Sequence, residues 1–291
     1  MTTAAKSRLK NHPSSPAPCR YWAHLSTQEF FALDAARTIA VLPVAATEQH
    51  GPHLPLSVDT VIVDSVIQAA MPQVAKGLSV LILPTQVIGK SNEHSAFPGT
   101  LSFSSETILR VWTEIGDAVA AAGIQKLVLF NSHGGQVSVM DLVARDLREK
   151  HGMIVVSTNW YTLPLDMSDF NAHEMRFGIH GGEVETSMLL AAAPELVNMK
   201  RAENFRSSSE VRSKKFAILG NGRSAKFAWQ TQDLNLSGAV GNAKAATEKK
   251  GVKLIEEAGQ KLAQLLAEIH QLPLSLVKRK VRSTRRRAEP S

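Results

Sequence analysis

Apolar residues along this chain fall into two alternating patterns. Uninterrupted short runs at 38–46 (Thr-Ile-Ala-Val-Leu-Pro-Val-Ala-Ala), 78–85, 125–130 and 153–158 predict strands covered on both faces, as in a parallel sheet. Between and beyond them, the stretches 59–75, 104–122, 136–150 and 243–271 repeat apolar residues every three or four positions and predict helices. This alternation predicts an α/β fold of three layers, a mainly parallel central sheet flanked by helices. The stretch 200–242, rich in Ser, Asn, Gly and Lys, has the weakest pattern and is expected to form a lid or a subunit contact.

Residues able to do chemistry gather where the strand runs stop. After 38–46 comes Glu48-Gln49-His50-Gly51-Pro52-His53-Leu54-Pro55; in an extended chain, Glu48 and His50 share a side and can converge on one ion. Asp59 follows, expected to be the N-cap of the next helix, with its side chain facing the strand ends. The run 125–130 leads into Asn131-Ser132-His133-Gly134-Gly135, which puts His133 at a second carboxyl end. Ligands of open parallel sheets gather in the crevice outside those ends, so the two motifs are expected to meet there. The two glycines are expected to leave room for a bulky substrate. His53, between Pro52 and Leu54, reads as a loop-ordering residue.

A third group, His180-Gly181-Gly182-Glu183-Val184-Glu185, precedes an apolar helix. On a helix Glu183 and Glu185 are about 200° apart and cannot both face one crevice. Glu183 is taken as the ligand and Glu185 as an outer or helix-terminal charge. Ser91, Glu93 and His94, after the run 78–85, are candidate substrate contacts, and Trp160, after 153–158, a candidate pocket wall.

These segments, with Glu93-His94-x-x-Phe97-Pro98-Gly99-Thr100 and Glu185-Thr186-Ser187, together resemble the creatininase (creatinine amidohydrolase) family, in family order, over about residues 20–270. The resemblance implies one or two divalent metal ions, hydrolysis of an amide-type C–N bond and a homohexamer. Carried over residue by residue, it implies that Glu48 and His133 hold one metal, that His50 and Glu183 hold the other, and that Asp59 bridges them. It also places His180 beside the metals; with an imidazole's ordinary pKa, His180 is the expected acid for the leaving nitrogen, with Glu183 as its catalytic companion. Creatininase proper carries a metal-binding glutamate two places after the histidine matching His133, where this chain has Gly135. That departure points away from creatinine toward the family's Gly-Gly branch and toward formamide, lactam, small-peptide or cyclic polyol ketone substrates. Mixed imidazole and carboxylate ligands suit zinc, manganese or iron alike.

Composition changes one further point. With 291 residues, 44% of them hydrophobic, and motifs interleaved along the chain, one domain is expected over 21–272. The net charge of +7 resembles a nucleic-acid signal, yet Lys278, Arg279, Lys280, Arg282, Arg285, Arg286 and Arg287 supply most of it. Residues 273–291 are therefore expected to be a basic, solvated tail and 1–20 a loose N-terminal segment without a secretory leader. Nucleic acid is expected as a partner only through that tail. No membrane span is expected, and the single Cys19 fits a cytoplasmic protein without an intramolecular disulfide. The competing reading from another class is a non-catalytic metal-binding protein acting through its basic tail.

Overall fold

A computed structural model describes residues 19–220, 222 and 224–278. Five parallel strands, β1 (Cys19–Tyr21), β2 (Ile39–Val44), β3 (Val80–Ile82), β4 (Lys126–Asn131) and β5 (Ile154–Asn159), form one sheet in the order β1-β3-β2-β4-β5. Ile39 pairs with Lys126 and Val44 with Asn131, so β2 and β4 end level with each other. The chain runs outward from β2 to β3, then returns to the far side of β2 as β4. That reversal opens a crevice beyond the carboxyl ends of β2 and β4.

The helices in chain order are α1 (Thr27–Phe31), α2 (Val58–Ala70), α3 (Ser105–Ala121), α4 (Val137–His151), α5 (Ala172–Phe177), α6 (Glu183–Ala192), α7 (Ser209–Lys215), α8 (Thr231–Leu234) and α9 (Glu248–Gln271). Side chains of β2 alternate between two cores. Ile39 and Val41 pack with Ile62 and Val66 of α2, Met188 of α6 and Leu262 of α9. Ala40, Leu42 and Val44 pack with Ile108 and Trp112 of α3 and Met140 and Val143 of α4. The uninterrupted run in β2 is thus explained by burial on both faces, worth roughly 1.5–3 kcal/mol for each large side chain withdrawn from water. Three layers result, helices on each side of a parallel sheet.

Local chemistry sets the boundaries. Ser104 caps α3 by accepting the Thr107 N–H, and Thr247 caps α9 by accepting that of Lys250. The helix expected to reach 75 leaves α geometry at Met71-Pro72, where proline offers no N–H, and becomes a 3-10 turn over Met71–Gln73. The helix expected from 243 begins at Glu248, after a 3-10 turn at Ala243–Ala245. Gly259 lets α9 approach α2 closely, since a Cβ there would lie 2.7 Å from that of Ala69.

Of the segments expected to be loose, residues 1–18 and 279–291 lie outside the described residues. The remainder is structured: Cys19–Tyr21 is the edge strand β1, and Leu274–Leu276 is a 3-10 turn. Among the described residues no helix is long and apolar enough to cross a membrane.

Candidate metal centre

Beyond β2 the chain stays extended and is stitched to its neighbours, with the Leu101 N–H donating to the Thr47 carbonyl and the Glu48 N–H to that of Leu56. Glu48 and His50 are carried inward and almost completely buried, as are Asp59 and His133. Glu48 Oε1 is the hub, 3.2 Å from His133 Nδ1, 3.5 Å from His94 Nε2, and 3.8 Å from both His50 Nε2 and His180 Nδ1. Asp59 Oδ2 lies 3.8 Å from His133 Nδ1. Among the described residues, four triads place their ligand atoms within 4.8 Å of one another: Glu48-His50-Asp59, Glu48-Glu93-His133, Glu48-His94-His180 and His50-His180-Glu185.

Backbone carbonyls decide which imidazole nitrogens face this cluster. His50 Nδ1–H donates to the Glu48 carbonyl at 3.0 Å, leaving Nε2 bare toward the cluster. His133 Nε2–H donates to the Lys90 carbonyl at 2.9 Å, so Nδ1 faces Glu48 and Asp59. His180 Nε2–H donates to the Gln49 carbonyl at 2.7 Å, turning Nδ1 inward. His94 is the opposite case. The Gln49 amide, fixed by donating to the Gly238 carbonyl and accepting the Gly51 N–H, also donates to His94 Nδ1 at 2.7 Å. His94 therefore presents an Nε2–H to Glu48.

Asn131 orders the turn that carries His133: its Oδ1 accepts the His133 N–H and the Gln136 amide, and its Nδ2 donates to the His133 carbonyl and to Asn159 Oδ1.

The electrostatics of the cluster call for a cation. Burial raises Asp59 well above the ordinary carboxylate range, and the charges of Glu48, Glu185 and Glu93 push it further. Burial likewise raises Glu185. Burial opposes charge on Glu48 too, but the adjacent His133, His94 and His180 hold it well below the usual range. Burial lowers His50 strongly and His94 to about 3, so both stay neutral. His133 goes the other way, since Glu48, Glu93 and Asp59 outweigh its burial and hold a proton on it. That proton stands where a metal ion would, and metal binding would displace it.

Two atoms complete the test of fit. His50 Nε2 and Asp59 Oδ2 are buried without a hydrogen-bond partner. An unmet buried polar atom costs about 1–3 kcal/mol, and a bound ion removes that cost for both. The residues fit a divalent metal.

Several expectations change. Asp59 is not the N-cap of α2; Ser57 holds that position, and Asp59, the second residue of the helix, turns its carboxylate into the cluster. Glu183 does not face the crevice. It is ion-paired with Lys250 of α9, while Glu185 lies 4.0 Å from His50 Nε2 and accepts the Gly181 N–H at 2.5 Å. The two glutamates do point to different sides of α6, and the helix is turned so that Glu185, not Glu183, faces the crevice.

Ser91 is fully buried and donates to Glu48 Oε2, which makes it a support for that carboxylate instead of a substrate contact. Trp160 lies in the core beneath the sheet end, with Leu189 and Phe170, and it is Tyr161 that reaches the crevice. Burial together with the charges of Asp59 and Glu185 raises the Tyr161 phenol. Space beside the two glycines is smaller than expected, because a Cβ at Gly135 would overlap the Glu93 carboxylate, whereas one at Gly134 meets only the Tyr161 hydroxyl at 3.7 Å. His53 is buried, hydrogen-bonded to Thr186 Oγ1 and stacked on Phe205, a structural role.

Two positioning residues carried no readable signal. Glu174, buried on α5, accepts the Glu183 N–H at the start of α6 and the Asn242 N–H. Thr231 of α8 lies 2.9 Å from His94 Nδ1 and donates to the Glu93 carbonyl. Thr231, Gly238 and Val240, which bridges to His180, make the weakly patterned 200–242 stretch one wall of the centre.

A doubly wound parallel sheet with buried carboxylates and imidazoles at its carboxyl edge defines an α/β protein with a cluster able to hold a metal. Comparison with known proteins narrows this class. The family profile described as "Creatininase: Creatinine amidohydrolase" matches residues 23–266, and the chain belongs to that family. The creatinine amidohydrolase of Pseudomonas putida is 28% identical over 264 residues, 84% of this chain and 95% of that one. The mycofactocin precursor peptide peptidase of Mycobacterium ulcerans (strain Agy99) is 33% identical over 162 residues, 54% of this chain and 59% of that protein. The alignment thus spans under two thirds of that peptidase. A solved creatinine amidohydrolase (creatininase) superposes with a TM-score of 0.70 at 25% identity, covering 87% of this chain and 98% of that one. The fold is also shared, at 24% identity, with a manganese form of creatininase and with a zinc–zinc form of a creatininase point mutant, with TM-scores of 0.67 and 0.68.

Proposed function

We propose that this protein is a metal-dependent amidohydrolase that cleaves a C–N bond of a linear or cyclic amide. The observation that carries this reading is the pair of buried, unpartnered atoms His50 Nε2 and Asp59 Oδ2 in a cluster already crowded with negative charge. The ligands in this reading are Glu48, His50, Asp59 and His133, with Glu185 in the place first given to Glu183. Zinc, manganese or iron would serve. When bound, such ions would lower the pKa of a water toward about 7 and polarise the scissile carbonyl.

The chain's own groups then handle substrate and protons. His180 Nδ1, bare and turned inward, takes the proton released on attack and returns it to the leaving nitrogen. His94 Nε2–H stays on Glu48 and supports that carboxylate, while the Tyr161 hydroxyl beside Gly134 is a donor able to orient the amide oxygen. Relatives named for creatinine and for a precursor peptide support amides as the class, and the crowding at Gly135 by Glu93 separates this pocket from one with a side chain there.

Elemental analysis of protein purified without chelator tests the reading. One or two ions per chain, lost in Asp59→Asn, together with turnover of formamides, lactams or small peptides in preference to creatinine, is the expected result. A wild type that neither holds nor takes up zinc, manganese or iron would overturn it. The proposal extends to a cytoplasmic homohexamer, with the exposed Phe31, Val211, Ile218 and Leu236 available for subunit contacts. Sedimentation as a monomer would exclude that assembly.

A further inference from the structure

Glu93 has no part in the ligand set above, and its position is unusual. Its backbone is pinned in a 3-10 turn, Asn92–His94, and by the Thr231 hydroxyl that donates to its carbonyl at 2.9 Å. Its carboxylate, mostly buried, lies 3.3 Å from His133 Nε2, the nitrogen facing away from Glu48 and Asp59. It fills the space beside Gly135: a Cβ there would overlap Glu93 Oε1 and lie 2.6 Å from His133 Nε2. Gly135 has no positive φ that would demand glycine, so volume is the reason for its lack of a side chain. His133 Nε2–H is thus held between the Lys90 carbonyl, which sets its direction, and a carboxylate, which adds negative charge behind the ring.

We infer that Glu93 and Gly135 work as a pair: Gly135 vacates the seat, and the Glu93 carboxylate in it makes His133 a stronger metal ligand through Nδ1. The inference rests on the metal-centre reading and deepens it. Glu93 is a positioning residue, not a substrate contact. A carboxylate behind a ligating imidazole raises the basicity of its other nitrogen, and loss of such a partner typically costs about 10–100-fold in metal affinity.

The test is zinc affinity by chelator competition, with zinc stoichiometry at saturation and the unfolding midpoint of the metal-free protein, for wild type, Glu93→Gln, Glu93→Asp and Gly135→Ala. In Glu93→Gln we expect about 10–100-fold weaker zinc binding, unchanged stoichiometry and a metal-free midpoint near that of wild type. Gly135→Ala, which leaves Glu93 chemically intact but displaces it, is expected to weaken zinc binding in the same direction. Because its Cβ would also lie 2.6 Å from His133 Nε2, the answer should Glu93→Gln not fold comes from Glu93→Asp, which keeps the carboxylate but withdraws it from that nitrogen and is likewise expected to weaken zinc binding.

Wild-type zinc affinity in any of these variants overturns the pairing while leaving the metal centre standing. A lower zinc count at saturation in Glu93→Gln makes Glu93 a direct ligand and also overturns it. A raised KM for an amide substrate with unchanged zinc affinity would return Glu93 to the substrate. Absence of zinc binding by the wild type overturns the metal-centre reading itself and this inference with it.

Discussion

The two walls of the metal centre are built by different means. On the sheet wall, Glu48, His50 and His133 follow from β2 and β4, whose ends are level; His133 comes two residues after β4, and the segment carrying Glu48 and His50 is held extended past β2 by backbone bonds to Leu101 and Leu56. On the helix wall, His180 just before α6 and Glu185 in its first turn lie outside the five-stranded sheet, with His180 bridged through its backbone to Val240. Buried polar groups hold α6 in place: Glu174 caps its first N–H, Gln49 ties to Gly238, and the Glu183–Lys250 pair sets its roll. The sheet wall places its ligands mainly through the backbone, whereas the helix wall depends more on side chains, each of which can be removed singly. The sheet wall should therefore lose its metal outright only when a ligand itself is changed, with outer partners such as Glu93 tuning it, and the helix wall should fail at a distance.

The largest effect is expected on the sheet wall. Asp59→Asn or Glu48→Gln should abolish turnover and strip metal, a loss beyond the roughly 100-fold ceiling for outer partners, with the fold retained by circular dichroism. Retained metal in both would break the comparison at once.

Next, Glu174→Ala removes the acceptor of two buried N–H groups and should cost about 3 kcal/mol in denaturant unfolding. Metal affinity should fall too, although Glu174 is no ligand. Lys250→Met sharpens the contrast. It strands the buried Glu183 carboxylate and should cost about 2 kcal/mol, yet leave zinc stoichiometry unchanged if Glu183 is not a ligand. A lower zinc count there would reinstate Glu183.

Lowering the pH should weaken metal binding. The metal-free centre holds a proton on His133 that an ion must displace, so competition grows as protons become plentiful; calorimetry in buffers of different ionisation enthalpy would count the protons released. The smallest effect belongs to the surface. Removing the exposed Arg110–Glu114 pair should change stability by no more than about 0.5 kcal/mol.

Much of this was legible in one dimension. The uninterrupted runs identified the strands of the central sheet from β2 to β5, because a strand covered on both faces must be apolar throughout. The crevice, and with it Glu48, His50, Asp59 and His133, followed from where those runs stop. The family resemblance rested on the same residues, and the family profile supports it. The edge strand β1 was missed: at three residues beside a proline-rich segment it offers too little pattern to read.

What the sequence alone determined was the periodicity of apolar burial and the residues at strand ends, both local consequences of backbone geometry. The choice between Glu183 and Glu185, the burial of Trp160 against the exposure of Tyr161, and the seat of Glu93 beside Gly135 belonged to the tertiary structure. Each depends on which partner a side chain meets from a distant part of the chain: Lys250 for Glu183, the helix-covered core for Trp160, His133 for Glu93. Two carboxylates two residues apart are equivalent in sequence. Only the roll of α6 against α9 makes one a partner of lysine and turns the other toward the metal centre.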